Sequence, residues 1–301
     1  MNATTNMVNM ADMALTVLSA GLLTTIQDLG RPGHAHLGVP RSGALDRGAH
    51  RLANLLVGNP PGAATLETTL LGCTLRAEIS VTAAVTGAAC PVRIDGRPAA
   101  WGAPVHLPAG STFEIAPAAH GVRSYVAFAG GIAVPEVLGS RSTDLLSGLG
   151  PDPLQAGDVL PLAPPTGPPA DADVIPHAAP PGHLVLPLAL GPRDDWFDPT
   201  SIAALARTDY HVAPASNRVG LRLDGPALKR SRDGELPSEG MVLGAVQVPP
   251  DGKPVVFLAD HPTTGGYPVV GVVPATALDA AAQARPGTLV RFVPRMGGGW
   301  T

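Results

Sequence analysis

Cysteine is nearly absent from this 301-residue chain, with only Cys73 and Cys90 present. Two such thiols exclude a disulfide framework and a cysteine-built zinc site, and they point to a reducing compartment. Both read as inert buried groups. Aromatic residues are scarce at 4%, and Lys229 and Lys253 are the only lysines. A net charge of -4 and a pI near 6.1 carry no basic footprint for nucleic acid or an anionic membrane. No apolar run approaches the roughly 20 residues of a membrane span. The opening MNATTNMVNMADMALTVL lacks the basic and apolar regions of a secretion signal. A cytoplasmic, soluble protein is expected. Residues 1–13, with Met1, Met7, Met10 and Met13 as candidate starts, are expected to form a disordered extension.

Several catalytic signatures are also missing. The chain has no G-x-x-x-x-G-K-[ST] loop, no H-E-x-x-H, no G-x-S-x-G elbow and no strand–GxGxxG–helix unit. His34 and His36 form an HxH pair without an apparent third ligand, so they read as turn residues and no metal site is expected.

What is abundant is glycine (36), proline (34) and short runs of Val, Leu, Ala and Thr. Such punctuation favours a mainly β, turn-rich chain over bundled helices. ALTVLSAG, ATLETTLLGCTLRA, ISVTAAVTG, PVRIDG, PVHLPAGSTFEIAP and VRSYVAFAGG read as strands and their turns. A helix is predicted over Leu45 to Val57, with Leu45, Ala49, Leu52, Ala53 and Leu56 on one face, stopped by Gly58-Asn59-Pro60. Residues 14–162 thus form a first strand-rich lobe and 163–183 a Pro/Ala-rich linker. Residues 184–294 form a second lobe, in which DDWFDPTSIAALART holds a short helix, and 295–301 form a tail.

Polar residues concentrate where strands should end. One cluster holds Asp28 and Arg31, then Ser42 and Asp46; another is Ser140-Arg141-Ser142-Thr143-Asp144. A third holds Asn217 and Arg218, then Glu239. The fourth runs from Gln247 into Asp260-His261-Pro262-Thr263-Thr264-Gly265-Gly266-Tyr267-Pro268, set between the apolar runs PVVFLA and VVGVVP. Gly265-Gly266 could let N–H groups converge on an oxygen, with hydroxyls from Thr263 and Thr264 and an acid or base in Asp260. Arg31, Arg141 and Arg218 could each hold a carboxylate or phosphate. The same residues equally read as a hairpin turn, an Arg141–Asp144 ion pair and helix caps at Ser42 and Asp46.

These segments resemble one family. GLLTTIQDLGRPG, GVPRSGALD, ANLLVGNP, ATLETTLLG, GGIAVPEVLGSRSTDLLSGLG, SNRVGLRLDG, LPSEGMVLGAVQVPPDGKPVV and ADHPTTGGYPVVGVV are similar, in order, to the biotin-dependent carboxyltransferase family. Its members are also called allophanate hydrolase subunit 2 or the C subunit of 5-oxoprolinase. The resemblance runs from about Gly21 to Phe292. It implies two cyclophilin-like β-barrel lobes with a few short helices. It also implies one component of an ATP-dependent 5-oxoprolinase that opens 5-oxo-L-proline to L-glutamate and is active only with partner subunits A and B. ATP, with Mg, would be held mainly by a partner. Two alternatives come with the family: a regulator antagonising a kinase inhibitor, and the carboxyltransferase component of a biotin-dependent urea or amide carboxylase. Neither lysine sits in a Met-Lys-Met context, so no covalently attached biotin is expected.

By the same resemblance Asp260, Asp28 and Arg31 are the expected catalytic residues. Ser42, Asp46, Arg141, Asn217, Arg218, Glu239, Gln247, Thr263, Thr264, Gly265, Gly266 and Tyr267 are the expected substrate contacts. The chain departs from the family at His34 (commonly Tyr), Leu45 (commonly Met) and Ala277 (commonly acidic), and GLGPDPLQAGD lacks a Gly-Arg pair that many relatives carry.

Overall fold

The computed structural model describes residues 13–172, 175, 179–232, 234 and 236–295. Of the proposed extension 1–13 and tail 295–301, only Met13, whose carbonyl accepts from Leu162 N–H, and Arg295, the last residue of the strand Leu289–Arg295, lie within them. The chain is mainly β, as its composition predicts, with three α-helices among the described residues. It divides into two compact units that do not follow chain order: residues 30–46 and 144–149 group with 180 onward rather than with their sequence neighbours.

The strands of the first unit form a six-stranded and a five-stranded sheet. The run Val81–Gly87 is a central strand of the latter, paired with Arg123–Phe128 on one side and Val105–Leu107 on the other. The strand is also buried almost throughout, with the helix Arg47–Leu56 packed over one face, which is why that run lacks alternation. Helix α1 spans Arg47–Leu56, shorter at both ends than expected. Its buried face also differs, because it carries His50 and Asn54 beside Ala53 and Leu56, while Ala49 and Leu52 are only partly covered.

The reason lies in the sheet beneath. Thr25 pairs with Glu67, Glu67 with Tyr125 and Tyr125 with Thr86, so one face of four adjacent strands is polar. Helix α1 answers it with hydrogen bonds, Thr86 Oγ1 donating to the Ala49 carbonyl at 2.7 Å. Cys73 and Cys90 are buried in this unit, and burial pushes the Cys73 thiol up to about 12, so both are protonated at neutral pH.

The Pro/Ala-rich stretch is not free along its first part. Ala163 N–H bonds the Gly131 carbonyl, Thr166 Oγ1 the Gly58 carbonyl at 3.2 Å, and Ala170 N–H the Leu56 carbonyl at 2.9 Å. It is strapped to the first unit as far as these contacts reach.

The second unit is a closed seven-stranded barrel. Closure removes unpaired edges. Inward residues such as Leu186, Leu188, Val246, Val256, Val270 and Phe292 fill it, and Leu45, from the inserted segment 30–46, joins the same core. Helix α2, Pro199–Leu205, is capped by Asp198, whose side chain accepts from Thr200 N–H at 2.7 Å. Helix α3 spans Ala275–Ala282. On the outer barrel wall Met241, Ala245, Val255, Phe257 and Val269 form a smaller apolar bed.

Candidate functional site

In the second unit, Asp260 follows the barrel strand Val255–Phe257 by three residues and is fully buried. Arg218 donates to it twice, Nε to Oδ2 at 2.8 Å and Nη2 to Oδ1 at 2.9 Å. Ser42 Oγ donates to Oδ1 at 2.8 Å and Leu145 N–H to Oδ2 at 3.2 Å. Ser42 reaches this position with φ at 53°, a left-handed conformation unusual for serine. Arg218 also donates from Nη2 to the Gly43 carbonyl at 2.8 Å.

A carboxylate offers about four lone-pair directions, and all are taken here. Asp260 is therefore a buried brace tying segments 42–43, 145 and 218 together. The residue expected to be a catalytic acid thus has its carboxylate engaged in this network. Ser42 binds Asp260, and Asp46 accepts from Gln283 Nε2 at 2.8 Å.

The loop that follows is built differently from its expected form. Thr264–Gly265 pairs as a short strand with Glu239–Gly240, and Met241 N–H donates to the Thr263 carbonyl. Neither Gly265 nor Gly266 adopts a positive φ. Their backbone is not the converging donor nest that the glycine pair suggested. Gly265 is glycine because the Gln247 amide lies against it, 2.7 Å from where a Cβ would stand. Gln247 Nε2 donates to the Tyr267 carbonyl at 3.3 Å, and its oxygen makes no hydrogen bond among the described residues. The Tyr267 ring is half exposed, and Thr264 is exposed. Glu239 is paired with Arg193, which holds its carboxyl below the usual range. Asn217 is a turn residue, its Oδ1 accepting from Val219 and Gly220 N–H.

Asp28 belongs to the first unit. Ser140 Oγ and Ser142 Oγ donate to its Oδ1 at 2.7 and 2.6 Å, and Arg141 N–H to its Oδ2 at 2.6 Å. Arg141 turns its guanidinium to Glu136 at 2.7 Å and the Val134 carbonyl at 2.8 Å, not to Asp144. Arg31 groups with the second unit and is fully buried. The expected residues thus divide into Asp28 with Ser140–Ser142 in one unit, and Arg218, Asp260, Ser42, Gln247 and the 263–267 loop in the other. Among the described residues no cluster of three potential metal ligands forms.

The model for the carboxyltransferase domain, subdomains A and B, matches residues 37–294. The chain belongs to that carboxyltransferase domain family. It is 40% identical over 282 residues to the C subunit of 5-oxoprolinase from Escherichia coli, covering 93% of this chain and 90% of that protein. It is 34% identical to the urea amidolyase of Lachancea kluyveri, with 93% of this chain against 17% of that protein. Among solved structures, TTHA0988 matches at 39% identity with a TM-score of 0.84, over 93% of this chain and 55% of the other. The Kluyveromyces lactis urea amidolyase matches at 31% identity with a TM-score of 0.87, over 94% of this chain and 19% of the other. The carboxyltransferase domain thus spans about half of the TTHA0988 chain and less than a fifth of the amidolyases.

Sequence reasoning did not single out Glu67, His50, Asn54 or His261 in this carboxyltransferase domain. Glu67, in the first unit, is buried and accepts from Tyr125 Oη at 2.7 Å, with Arg123 Nε 3.6 Å from its other oxygen. His50 Nδ1 lies 2.9 Å from Thr65 Oγ1, and Asn54 Nδ2 3.4 Å from its Nε2. Burial lowers the His50 pKa to about 4 against the pull of Asp28 and Glu67. The available signal was a lone Tyr inside VRSYVAF and His50 four residues before Asn54 in an otherwise apolar helix face. In the second unit, His261 stacks on Phe257 with centroids 5.9 Å apart and planes at 14°.

Proposed function

We propose that this chain is one component of an ATP-dependent 5-oxoprolinase, opening 5-oxo-L-proline to L-glutamate together with subunits A and B in the cytoplasm. The observation that carries the reading is the near end-to-end correspondence with the C subunit of the E. coli 5-oxoprolinase, 93% of one chain on 90% of the other. Against the amidolyases the chain matches only a small part.

A lactam presents a carbonyl acceptor and an N–H donor, and the 5-oxoproline carboxylate adds a charge. Gln247 offers a free carbonyl oxygen to the lactam N–H, beside the half-buried Thr263 and the exposed Thr264 and Tyr267. The Arg218–Asp260 brace holds this loop's first residue in place, which keeps the polar groups oriented before substrate arrives. For ATP the fit is poor. Arg218 is spent on Asp260 in a fully buried pair, so this cation is not available to neutralise a triphosphate. The reading therefore assigns ATP to a partner protein of the assembly.

The test is glutamate release from 5-oxoproline and ATP by this protein mixed with its co-encoded A and B partners, each omitted in turn. Release that stops without this chain makes it an obligatory subunit. Release that is unchanged without it sinks the reading. A second reading, carboxyl transfer from a separate biotin carrier, is favoured by the K. lactis urea amidolyase likeness at a TM-score of 0.87. It predicts carboxylated urea or amide only when a biotinylated carrier is supplied.

A further inference from the structure

We infer that His261 is the proton-carrying catalytic residue of this site, the role that the neighbouring Asp260 cannot fill. The inference rests on the amide-opening reading above, since it names the group that moves the proton in that reaction.

The geometry defines the state of the ring. His261 Nδ1 lies 2.8 Å from the Pro262 carbonyl oxygen. A carbonyl can only accept, so Nδ1 carries the hydrogen and a neutral ring keeps its lone pair on Nε2. Nε2 makes no hydrogen bond among the described residues. The ring is held flat against Phe257 by stacking, and the His261 N–H donates to the Leu258 carbonyl at 3.2 Å. Rotamer and tautomer are therefore both set before any substrate is present.

The position is also right. Phe257 belongs to the outer-wall bed with Met241 and Val255, and Val255 is the cross-strand partner of Gln247. Phe257 lies two residues on along the same face. His261 and the open Gln247 oxygen thus stand on one surface of the barrel wall, with Gly265 packed against both Gln247 and Met241.

The charged groups bearing on the ring are Asp260 on its own segment and Asp144 on the inserted segment 144–149. Both favour the imidazolium form. Burial opposes them and prevails, so the pKa is lowered from 6.5 and the ring is neutral at pH 7. A neutral imidazole with an unencumbered Nε2 is a competent general base near neutral pH.

ATP on the partner protein drives the overall reaction, and within the ring opening itself the proton transfers balance on this ring and one water. Nε2 takes a proton from a water as its oxygen bonds the amide carbon. The imidazolium returns that proton to the lactam nitrogen as the C–N bond breaks. Carboxyl and amine products result, and the ring is neutral again.

The test uses the full chain assembled with A and B. His261→Asn keeps an N–H to the Pro262 carbonyl but has no Nε2, and His261→Phe keeps the stack on Phe257. Both are expected to assemble and to unfold at the wild-type urea midpoint. Glutamate release should fall about 10²- to 10⁴-fold in kcat, with KM nearly unchanged, and the acid limb of the kcat–pH profile should disappear. Imidazole should partly restore His261→Ala. Assembled variants that keep kcat within a few-fold and retain the acid limb overturn the assignment. If the wild-type assembly releases no glutamate, the 5-oxoprolinase reading fails. His261 is then judged by nitrogen NMR and diethyl pyrocarbonate labelling of the wild-type chain. An Nδ1–H tautomer modified at Nε2 supports the assignment, and an Nε2–H or unreactive ring overturns it.

Discussion

Arg218 grips Asp260 through two parallel hydrogen bonds, Nε to Oδ2 at 2.8 Å and Nη2 to Oδ1 at 2.9 Å, with both side chains fully buried. Burying two charges costs desolvation that only close, saturated geometry offsets. Here Ser42, Leu145 and the Gly43 carbonyl complete that saturation. Removing one partner leaves the other charge stranded. Asp260→Asn or Arg218→Met should each cost on the order of 3–5 kcal/mol in urea unfolding. The paired change Arg218→Met with Asp260→Leu should cost much less than the sum. Additive costs would mean that the pair is not a coupled unit.

Tyr125 Oη donates to the buried Glu67 carboxylate at 2.7 Å. Tyr125→Phe removes the hydroxyl but keeps the ring, including its edge-on contact with His50. The variant should lose about 1–3 kcal/mol, the cost of under-satisfying a buried acceptor. Thermal unfolding measures it. A change below a few tenths of a kcal/mol would show that Glu67 is fully satisfied without the phenol.

His50 makes the first unit sensitive to mild acid. Its folded pKa is about 4 against an ordinary 6.5, chiefly through burial. Above pH 6.5 the ring is neutral folded or unfolded, so it adds no pH dependence. Between 6.5 and 4 the unfolded chain binds the proton and the folded one does not. Stability should fall there by up to about 1.4 kcal/mol per pH unit, levelling off below pH 4. Urea unfolding of wild type and His50→Gln across that window checks it, since the variant should lose this share of the slope.

Gly130 sets the strap. Its φ is +93°, and a Cβ there would stand 1.8 Å from the Ala163 carbonyl oxygen. Gly130→Ala must therefore displace residue 163 or the turn itself. The expected result is a loss of a few kcal/mol or more, together with faster proteolysis within residues 163–172. Unchanged cleavage would show that the strap is not held at this point.

Much of the fold was legible because strand periodicity and turn chemistry are local. The runs around Val81–Gly87, Arg123–Phe128, Val255–Phe257 and Val269–Val272 are strands where the sequence reads them, and α1 is the predicted helix, shortened. Its buried face was misread. His50 and Asn54 are buried because the sheet beneath happens to be polar, and that sheet is assembled from residues 24–128 by pairings that no helical window contains.

The polar motifs were found in sequence, but their roles were not. Asp260 reads as an accessible acid until Arg218, Ser42 and Leu145 are seen to converge on it from segments 42, 115 and 218 residues away. Gly265-Gly266 reads as a flexible nest until Gln247 is seen packed against Gly265. By itself the sequence determined the β class, the strand runs, the places where polar chemistry gathers and the family likeness, because these depend on neighbours along the chain. Only the tertiary structure decided which carboxylate is saturated, which histidine keeps a lone pair and which segments fold with which unit. Hydrogen-bond saturation and burial depend on distance in space, which residue order does not encode.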